Sequence, residues 1–306
     1  MARKVFIDGD VGTTGLQIRE RLERRDDIAL VKVAPELRKD LSARVAAFAE
    51  AEVSILCLPD PAAVEIVAAC DAQGVAARII DASTAHRVNP DWVYGFPEMA
   101  PGQRDAIRSA SRVSNPGCWA TCMIGVLRPL VDAGLVAADA EVAISGVSGY
   151  SGGGKSMIEE FTSGSVDGAF LYGTAQNQKH LPEVTLYSRL SRRPMFVPSV
   201  GNYAQGMAVA VQLRLPPGSA SAAEAALQAH YAGEPFVTVV AASAHQPRVM
   251  PQVLNGTNRM ELSVQGDPQT GATTLVAVLD NLGKGSSGAA VQNLNIMLGL
   301  DEAAGL

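Results

Sequence analysis

A chain of 306 residues with 47% hydrophobic and 18% charged side chains is long enough for two domains and a large core. Its formal net charge of -6 offers no basic stripe to a phosphate backbone, which argues against a nucleic-acid partner. The opening Met1-Ala2-Arg3-Lys4 lacks the apolar segment of a secretion signal, no apolar run approaches the roughly 18–20 residues that span a bilayer, and four cysteines make no disulfide framework; the expectation is a cytoplasmic protein with no membrane partner.

Residues 4–8 read as a short buried strand. Gly9, Gly12 and Gly15 follow at a spacing of three, with Thr13 and Thr14 between the last two. A helix then carries Leu16, Ile18 and Leu22 on one side and Arg19, Glu20, Glu23 and Arg24 on the other. Strand, glycine turn and helix is the context in which backbone N–H groups hold a pyrophosphate at a helix start. The spacing is GxxGxxG rather than the commoner GxGxxG, and a plain βα turn is the alternative. Residues 28–33 are a second strand, followed by Glu36, Arg38 and Lys39. A dinucleotide fold reads its ribose there: an acid holds a 2′-hydroxyl and a base accepts a 2′-phosphate. The two bases favour NADP; the alternative is a solvated charged turn.

Residues 53–58 form a third strand, and Pro59-Asp60-Pro61 opens a helix with Val64, Ile66, Val67 and Cys70 on its apolar side. Cys57 and Cys70 read as inert core. Residues 78–81 are a fourth strand, with the polar loop Ala82-Ser83-Thr84-Ala85-His86-Arg87 at its carboxyl end, the edge where open parallel sheets bind ligands. Residues 92–98 are another extended piece, 103–110 a short helix and 112–114 a strand. This alternation predicts an α/β, doubly wound parallel sheet.

The strand ending at Ser114 runs into Asn115-Pro116-Gly117-Cys118, a tight turn before an apolar, helix-like run over 120–135 with a kink or restart at Pro129. Cys118 falls near a helix N-terminus, where unpaired N–H groups and the helix dipole favour a thiolate. Read alone, it is either a nucleophile or a buried structural cysteine. Residues 142–147 are a strand leading into Ser148-Gly149-Tyr150-Ser151-Gly152-Gly153-Gly154-Lys155, a loop too glycine-rich for a packed element. It either approaches a ligand closely or is a flexible surface loop.

Of four histidines, His180 has the surroundings of an acid/base partner for a cysteine, in the polar turn Gln178-Lys179-His180-Leu181-Pro182-Glu183; a satisfied structural histidine is the alternative. His230 reads as surface, on an Ala-rich helix over 222–232, and His245 as part of a ligand-side loop with Arg248. From Phe196 the pattern turns strand-rich: 207–215, 236–240, 259–264 and 273–279, the last two joined by a hairpin-like connection. This half reads as a second, α+β domain with a mixed or antiparallel sheet. The terminal helix carries Val291, Leu294, Asn295, Met297 and Leu298.

The glycine loop, Asp81 to Arg87, Tyr94 to Glu98, Asn115 to Cys118, Ser145 to Lys155, His180 to Glu183 and Asn281 to Asn295 together resemble the semialdehyde dehydrogenase superfamily. Within it they are similar to the short, type 2 form of the N-acetyl-gamma-glutamyl-phosphate reductases of arginine biosynthesis. The resemblance implies a Rossmann-like NADP domain over residues 1–115 and 284–306. It implies a catalytic and oligomerisation domain over 116–283, in a homodimer or homotetramer. It also implies that Cys118 is the nucleophile and His180 the acid/base. NADP is expected on Gly9, Gly12, Thr13, Thr14, Gly15, Arg38, Ser83, Ser148, Gly149, Asn281 and Gly285. Substrate is expected on Asn115, Arg87, Lys155, Glu183 and Arg248; the three cations suit an anionic acyl phosphate in a chain of negative net charge. No metal is expected. The enzymatic alternative is an aspartate-semialdehyde dehydrogenase, and the alternative of another class is an NADP-sensing binding protein without catalysis.

Overall fold

The computed structural model describes residues 2–306, which divide into two units. The first takes the chain to Pro97, Pro101–Pro116 and Ser286–Leu306; the second takes Glu98–Ala100 and Gly117–Gly285.

In the first unit the chain alternates as β1 (Arg3–Asp8), α1 (Thr13–Leu22), β2 (Ile28–Val31), α2 (Leu41–Glu50), β3 (Val53–Leu56), α3 (Asp60–Ala72), β4 (Ile79–Asp81), β5 (Val93–Tyr94), α4 (Gln103–Ser109) and β6 (Arg112–Ser114). The sheet runs β2-β1-β3-β4-β6-β5 and every pairing in it is parallel. Strand side chains alternate between its faces. Val5 and Ile7 of β1 pack with Ile18, Leu22, Ile107, Val291 and Leu294, while Phe6 packs with Val45, Phe48, Ile66 and Val67 on the other side. The strand order reverses between β1 and β3, so the glycine turn after β1 stands at the switch point where such sheets bind ligands.

The C-terminal helix Gly288–Leu298 is buried along its whole length. Its amides reach into the rest of the unit: Asn293 Nδ2 donates to the Gly95 carbonyl at 2.9 Å, and Asn295 Oδ1 accepts from Arg25 at 2.7 Å, while Asn293 Oδ1 is buried without a partner among the described residues. The apolar stripe of α3 differs from the expected one. Ala63, Ile66, Val67 and Cys70 fall at i, i+3, i+4 and i+7 and are buried, whereas Val64, one step round the helix, is 50% exposed.

The second unit comprises α5 (Cys118–Asp132), β7 (Ala143–Gly149), α6 (Gly154–Thr162), β8 (Phe170–Leu171), α7 (Leu181–Tyr187), β9 (Met195–Gly201), β10 (Met207–Arg214), α8 (Ala220–His230), β11 (Val237–Val239), β12 (Met260–Gly266) and β13 (Ala272–Leu279). Its mixed sheet runs β11-β12-β13-β10-β7-β9-β8, antiparallel through the centre and parallel at β11·β12 and β7·β9. In β10 buried and half-buried residues alternate, as one covered face requires. Helices α5 and α8 lie on this sheet.

Helix α5 begins two residues earlier than expected and continues through Pro129, which cannot donate to the Gly125 carbonyl one turn back. Tyr231 Oη donates to that carbonyl instead, at 2.6 Å, so the helix proceeds without an unpaired acceptor. Nor is 148–155 a loose loop. Strand β7 continues to Gly149, whose N–H donates to the Gly206 carbonyl at 2.9 Å; one 3-10 turn, Tyr150–Gly153, then leads into α6.

Candidate functional site

The turn after β1 is shaped by two glycines that approach each other. Gly9 has φ +90°, and a Cβ on Gly15 would run into the Gly9 carbonyl oxygen. Gly12 is the N-cap of α1 and supplies no side-chain cap, so the first N–H groups of the helix face outward without an internal acceptor. Thr13 and Thr14 open the helix, and Thr14 Oγ1 lies 3.1 Å from Ser286 Oγ. Beside the turn is a cavity of about 920 Å³ lined by Gly9, Asp10, Arg19, Lys32, Arg38 and Lys39 among others. Glu36 is exposed in the short turn Pro35–Leu37 and does not line the cavity. The cavity therefore sets cations beside a glycine turn at a helix start, the setting in which backbone N–H groups hold a dinucleotide's pyrophosphate. Asp10, which the sequence did not single out, lies 3.2 Å from Arg19 and 3.7 Å from Arg38, so its charge is offset by two guanidinium groups.

Ser83 is buried and turned onto Asp81, donating from Oγ at 2.7 Å and from its backbone N–H at 2.8 Å. The other expected nucleotide residues lie in the second unit. Ser148 is buried at the end of β7. Asn281 accepts from the Gly206 N–H at 2.7 Å and donates to Ser151 Oγ at 2.9 Å. Gly285 approaches Cys118: a Cβ there would stand 2.7 Å from Cys118 Cβ.

Cys118 is the first residue of α5, with Gly117 as a side-chain-free N-cap, so its half-buried thiol stands at the positive end of a 15-residue helix. Burial pushes the thiols of Cys57, Cys70 and Cys122 up, whereas Cys118 opens a helix behind a glycine N-cap. His180 is not in an open turn. It is buried at the N-cap position of α7, with Nδ1 2.9 Å from Glu183 Oε1. Glu183 Oε2 accepts from the Gly117 N–H at 3.3 Å. One carboxylate thus ties the imidazole to the residue preceding the thiol. An Nδ1–H that donates to the acid fixes the ring tautomer, with the lone pair on Nε2. Glu183 was expected at the substrate. It is 1% exposed with both oxygens engaged, and its place is behind the histidine.

The remaining expected substrate residues separate. The Asn115 amide donates to the Ser286 carbonyl and accepts from Asn293, and the buried Arg87 donates from Nε to the Asn115 carbonyl at 3.1 Å. Both belong to the scaffold of the turn before Gly117. Lys155 and Arg248 are exposed, Lys155 in the first turn of α6 and Arg248 in the segment between β11 and β12. His230 is half-buried and its Nε2 lies 3.0 Å from the Glu98 carbonyl.

Tyr172 was missed. Burial, then the Cys118 charge, push its hydroxyl up, while a hydrogen bond with Trp119, the residue after Cys118, opposes them. No periodicity or motif marks it, because it follows the two-residue strand β8. Among the described residues no group of three or more His, Cys, Asp or Glu side chains could hold a metal ion, and no helix is long and apolar enough to cross a membrane.

Two family models match this chain: the semialdehyde dehydrogenase NAD binding domain over residues 4–110, and the semialdehyde dehydrogenase dimerisation domain over residues 118–281. N-acetyl-gamma-glutamyl-phosphate reductases of Brucella ovis and Brucella canis are each 49% identical over 310 residues, covering 98% of this chain and 100% of the relative. Among solved structures, aspartate semialdehyde dehydrogenase of Francisella tularensis has a TM-score of 0.75 at 15% identity, covering 97% of this chain and 100% of that one. Aspartate semialdehyde dehydrogenase II of Vibrio cholerae has a TM-score of 0.73 at 15% identity, covering 97% and 98%. At that identity the likeness is one of fold.

Proposed function

We propose that this chain, which belongs to the semialdehyde dehydrogenase family, reduces N-acetyl-L-glutamyl 5-phosphate to N-acetyl-L-glutamate 5-semialdehyde and phosphate, as a step of arginine biosynthesis. The observation that carries the chemistry is the Glu183 carboxylate, which holds His180 on one oxygen and the Gly117 N–H on the other, one residue before Cys118. The relatives matched along their whole length carry the choice of substrate.

Cys118 Sγ attacks the acyl carbon, the C–O bond to phosphate breaks and inorganic phosphate leaves, so that the acyl group rests on sulfur as a thioester. A thiolate suits both halves of the reaction, since it attacks well and leaves well. NADPH, when bound, supplies the hydride that reduces the thioester carbonyl. The His180 imidazolium lends a proton from Nε2 to the carbonyl oxygen as it gains charge and takes it back as the C–S bond breaks, so that the aldehyde leaves and the thiolate returns, and Glu183 holds the Nδ1–H throughout. Gly9, Gly12 and Gly15 with Thr13 and Thr14 would hold the pyrophosphate. Arg38, with Lys32 and Lys39 in the same cavity, would hold the 2′-phosphate that distinguishes NADP from NAD. Lys155 and Arg248 are the exposed cations available to the substrate phosphate and carboxylate.

The first unit acts as the nucleotide domain; the second carries the thiol and the oligomer contact of a cytoplasmic homodimer or homotetramer. The test is phosphate-dependent reduction of NADP with N-acetylglutamate 5-semialdehyde, run beside aspartate 4-semialdehyde. Turnover of the first substrate alone is expected. Turnover of aspartate 4-semialdehyde alone would move the chain to the other branch of its family, and nucleotide binding with no turnover of either would leave a sensor.

A further inference from the structure

Between β13 and the C-terminal helix the chain makes one wide turn, of π type, over Gly283–Ser287. Its entry is fixed by its own acid. Asp280 Oδ1 accepts from the Leu282 N–H at 2.9 Å, and Oδ2 accepts from the Gly256 N–H at 2.8 Å and from Gln205 at 2.6 Å. Further along, the turn is held differently. Lys284 is 1% exposed, and its Nζ lies 2.7 and 2.9 Å from the two oxygens of Glu98, whose side chain is 0% exposed. Glu98 comes from far away in sequence: Glu98–Ala100 is the part of the first 116 residues that belongs to the second unit. Its carbonyl accepts from His230 on α8 at 3.0 Å, which fixes the carboxylate end of the pair. The ammonium also lies 5.6 Å from the Phe236 ring centre.

A buried ion pair is a poor way to stabilise a fold. Apolar side chains of similar volume do as well or better, because neither charge then has to leave water. What the pair provides is a fixed length and direction. The next residue along the turn is Gly285, which stands so close to Cys118 that a Cβ would come within 2.7 Å of Cys118 Cβ and 3.1 Å of Leu279. The backbone at 285 is therefore one wall of the nucleophile's seat, and the side chain that anchors it is the one immediately before.

We propose that Lys284 and Glu98 are positioning residues for the nucleophile: their ion pair holds the Gly285 backbone against Cys118 and so sets the direction of Sγ at the start of α5. Neither residue takes part in the reaction itself. Its kinetic arm rests on the function proposed above, whereas its chemical arm needs no substrate.

The test is the double variant Glu98→Gln with Lys284→Met, which removes both charges and strands neither. Its circular dichroism and melting temperature should stay close to those of the parent. Its kcat should fall by about tenfold to a hundredfold, the size of effect that a small misplacement of a reacting group produces, with KM changed by less than about threefold. Alkylation of Cys118 by iodoacetamide, followed by the mass of its peptide, should slow at neutral pH, with the midpoint of its pH profile moved upward. A folded double variant with parental kcat and a parental alkylation profile overturns the proposal. Should the double variant not fold, Gly285→Ala keeps the pair and pushes on Cys118 directly; a parental alkylation profile there overturns it equally. Shifted alkylation in a protein inactive on N-acetylglutamate 5-semialdehyde would uphold the positioning role and reject the substrate.

Discussion

Glu183 reaches His180 with one carboxylate oxygen and the Gly117 N–H with the other, at 2.9 and 3.3 Å. Both groups donate to it, so only an acceptor on each side serves. In Glu183→Gln the amide oxygen can face one of them, and the amide NH2 must then face the other donor. With the oxygen towards Gly117, the NH2 is met only by an unprotonated Nδ1, which moves the ring proton to Nε2 and gives the wrong tautomer; turned the other way, the Gly117 N–H loses its acceptor and the turn before Cys118 drifts. The kcat should fall by about a hundredfold, the lower end of what a positioned acid/base supplies. Steady-state kinetics over a pH range would check this, and the limb assigned to His180 should shift along with the loss. A Gln variant with parental kcat and pH profile would mean that the carboxylate does not orient the ring.

Cys118→Ser separates chemistry from binding. A serine hydroxyl in the same place is held at the same helix start but is not ionised there near neutral pH, and it is a poorer leaving group than a thiolate. Phosphate-dependent reduction of NADP should drop by about a thousandfold or more. Nucleotide affinity, read by quenching of protein fluorescence, should not change, because the glycine turn and its cavity are built from the first unit alone. Persisting turnover in the Ser variant would remove the thioester from the mechanism.

Arg38 is the cation whose loss should change the choice of cofactor. It lines the cavity, is 43% exposed, and lies 3.7 Å from Asp10, so it is restrained but open to a ligand. Arg38→Ala should raise KM for NADPH by about tenfold or more, the worth of a charge-assisted hydrogen bond, and leave KM for NADH nearly unchanged. Equal effects on the two cofactors would place the 2′-phosphate elsewhere, with Lys32 and Lys39 the next residues to replace.

The parallel sheet was readable in the sequence because its central strands are short continuous apolar runs between a helix end and a turn, as strands covered on both faces must be. The thiol was readable for the same local reason: Pro116-Gly117 ends β6 and starts α5. What escaped was set by distance along the chain. Nothing near Glu98 shows that three residues there leave the first unit for the second, and nothing near Tyr172 shows that a two-residue strand brings its hydroxyl to Trp119. Glu183 did carry a signal. It stands three residues after His180 at the start of a helix with Pro182 in its first turn, a spacing that puts both side chains on one face. The glycines of 148–155 misled, because glycine reads as looseness in a sequence. Here Gly149 serves a close backbone approach, with its N–H donating to the Gly206 carbonyl.

Tyr231 and Pro129 form a pair whose roles can be separated by a double-mutant cycle. Proline at 129 leaves the Gly125 carbonyl without its helical donor, and Tyr231 Oη supplies the missing hydrogen bond at 2.6 Å inside the core. Tyr231→Phe removes the donor and keeps the ring, so the cost is that of a buried acceptor left unsatisfied, about 1–3 kcal/mol. Pro129→Ala restores an N–H that can reach Gly125 within the helix. In that background Tyr231→Phe should cost markedly less, because the acceptor now has a second source, and the coupling should be about 1 kcal/mol or more. Denaturant unfolding of the parent, the two single variants and the double variant measures it. Strict additivity would show that the tyrosine hydroxyl does not replace the hydrogen bond that proline forgoes.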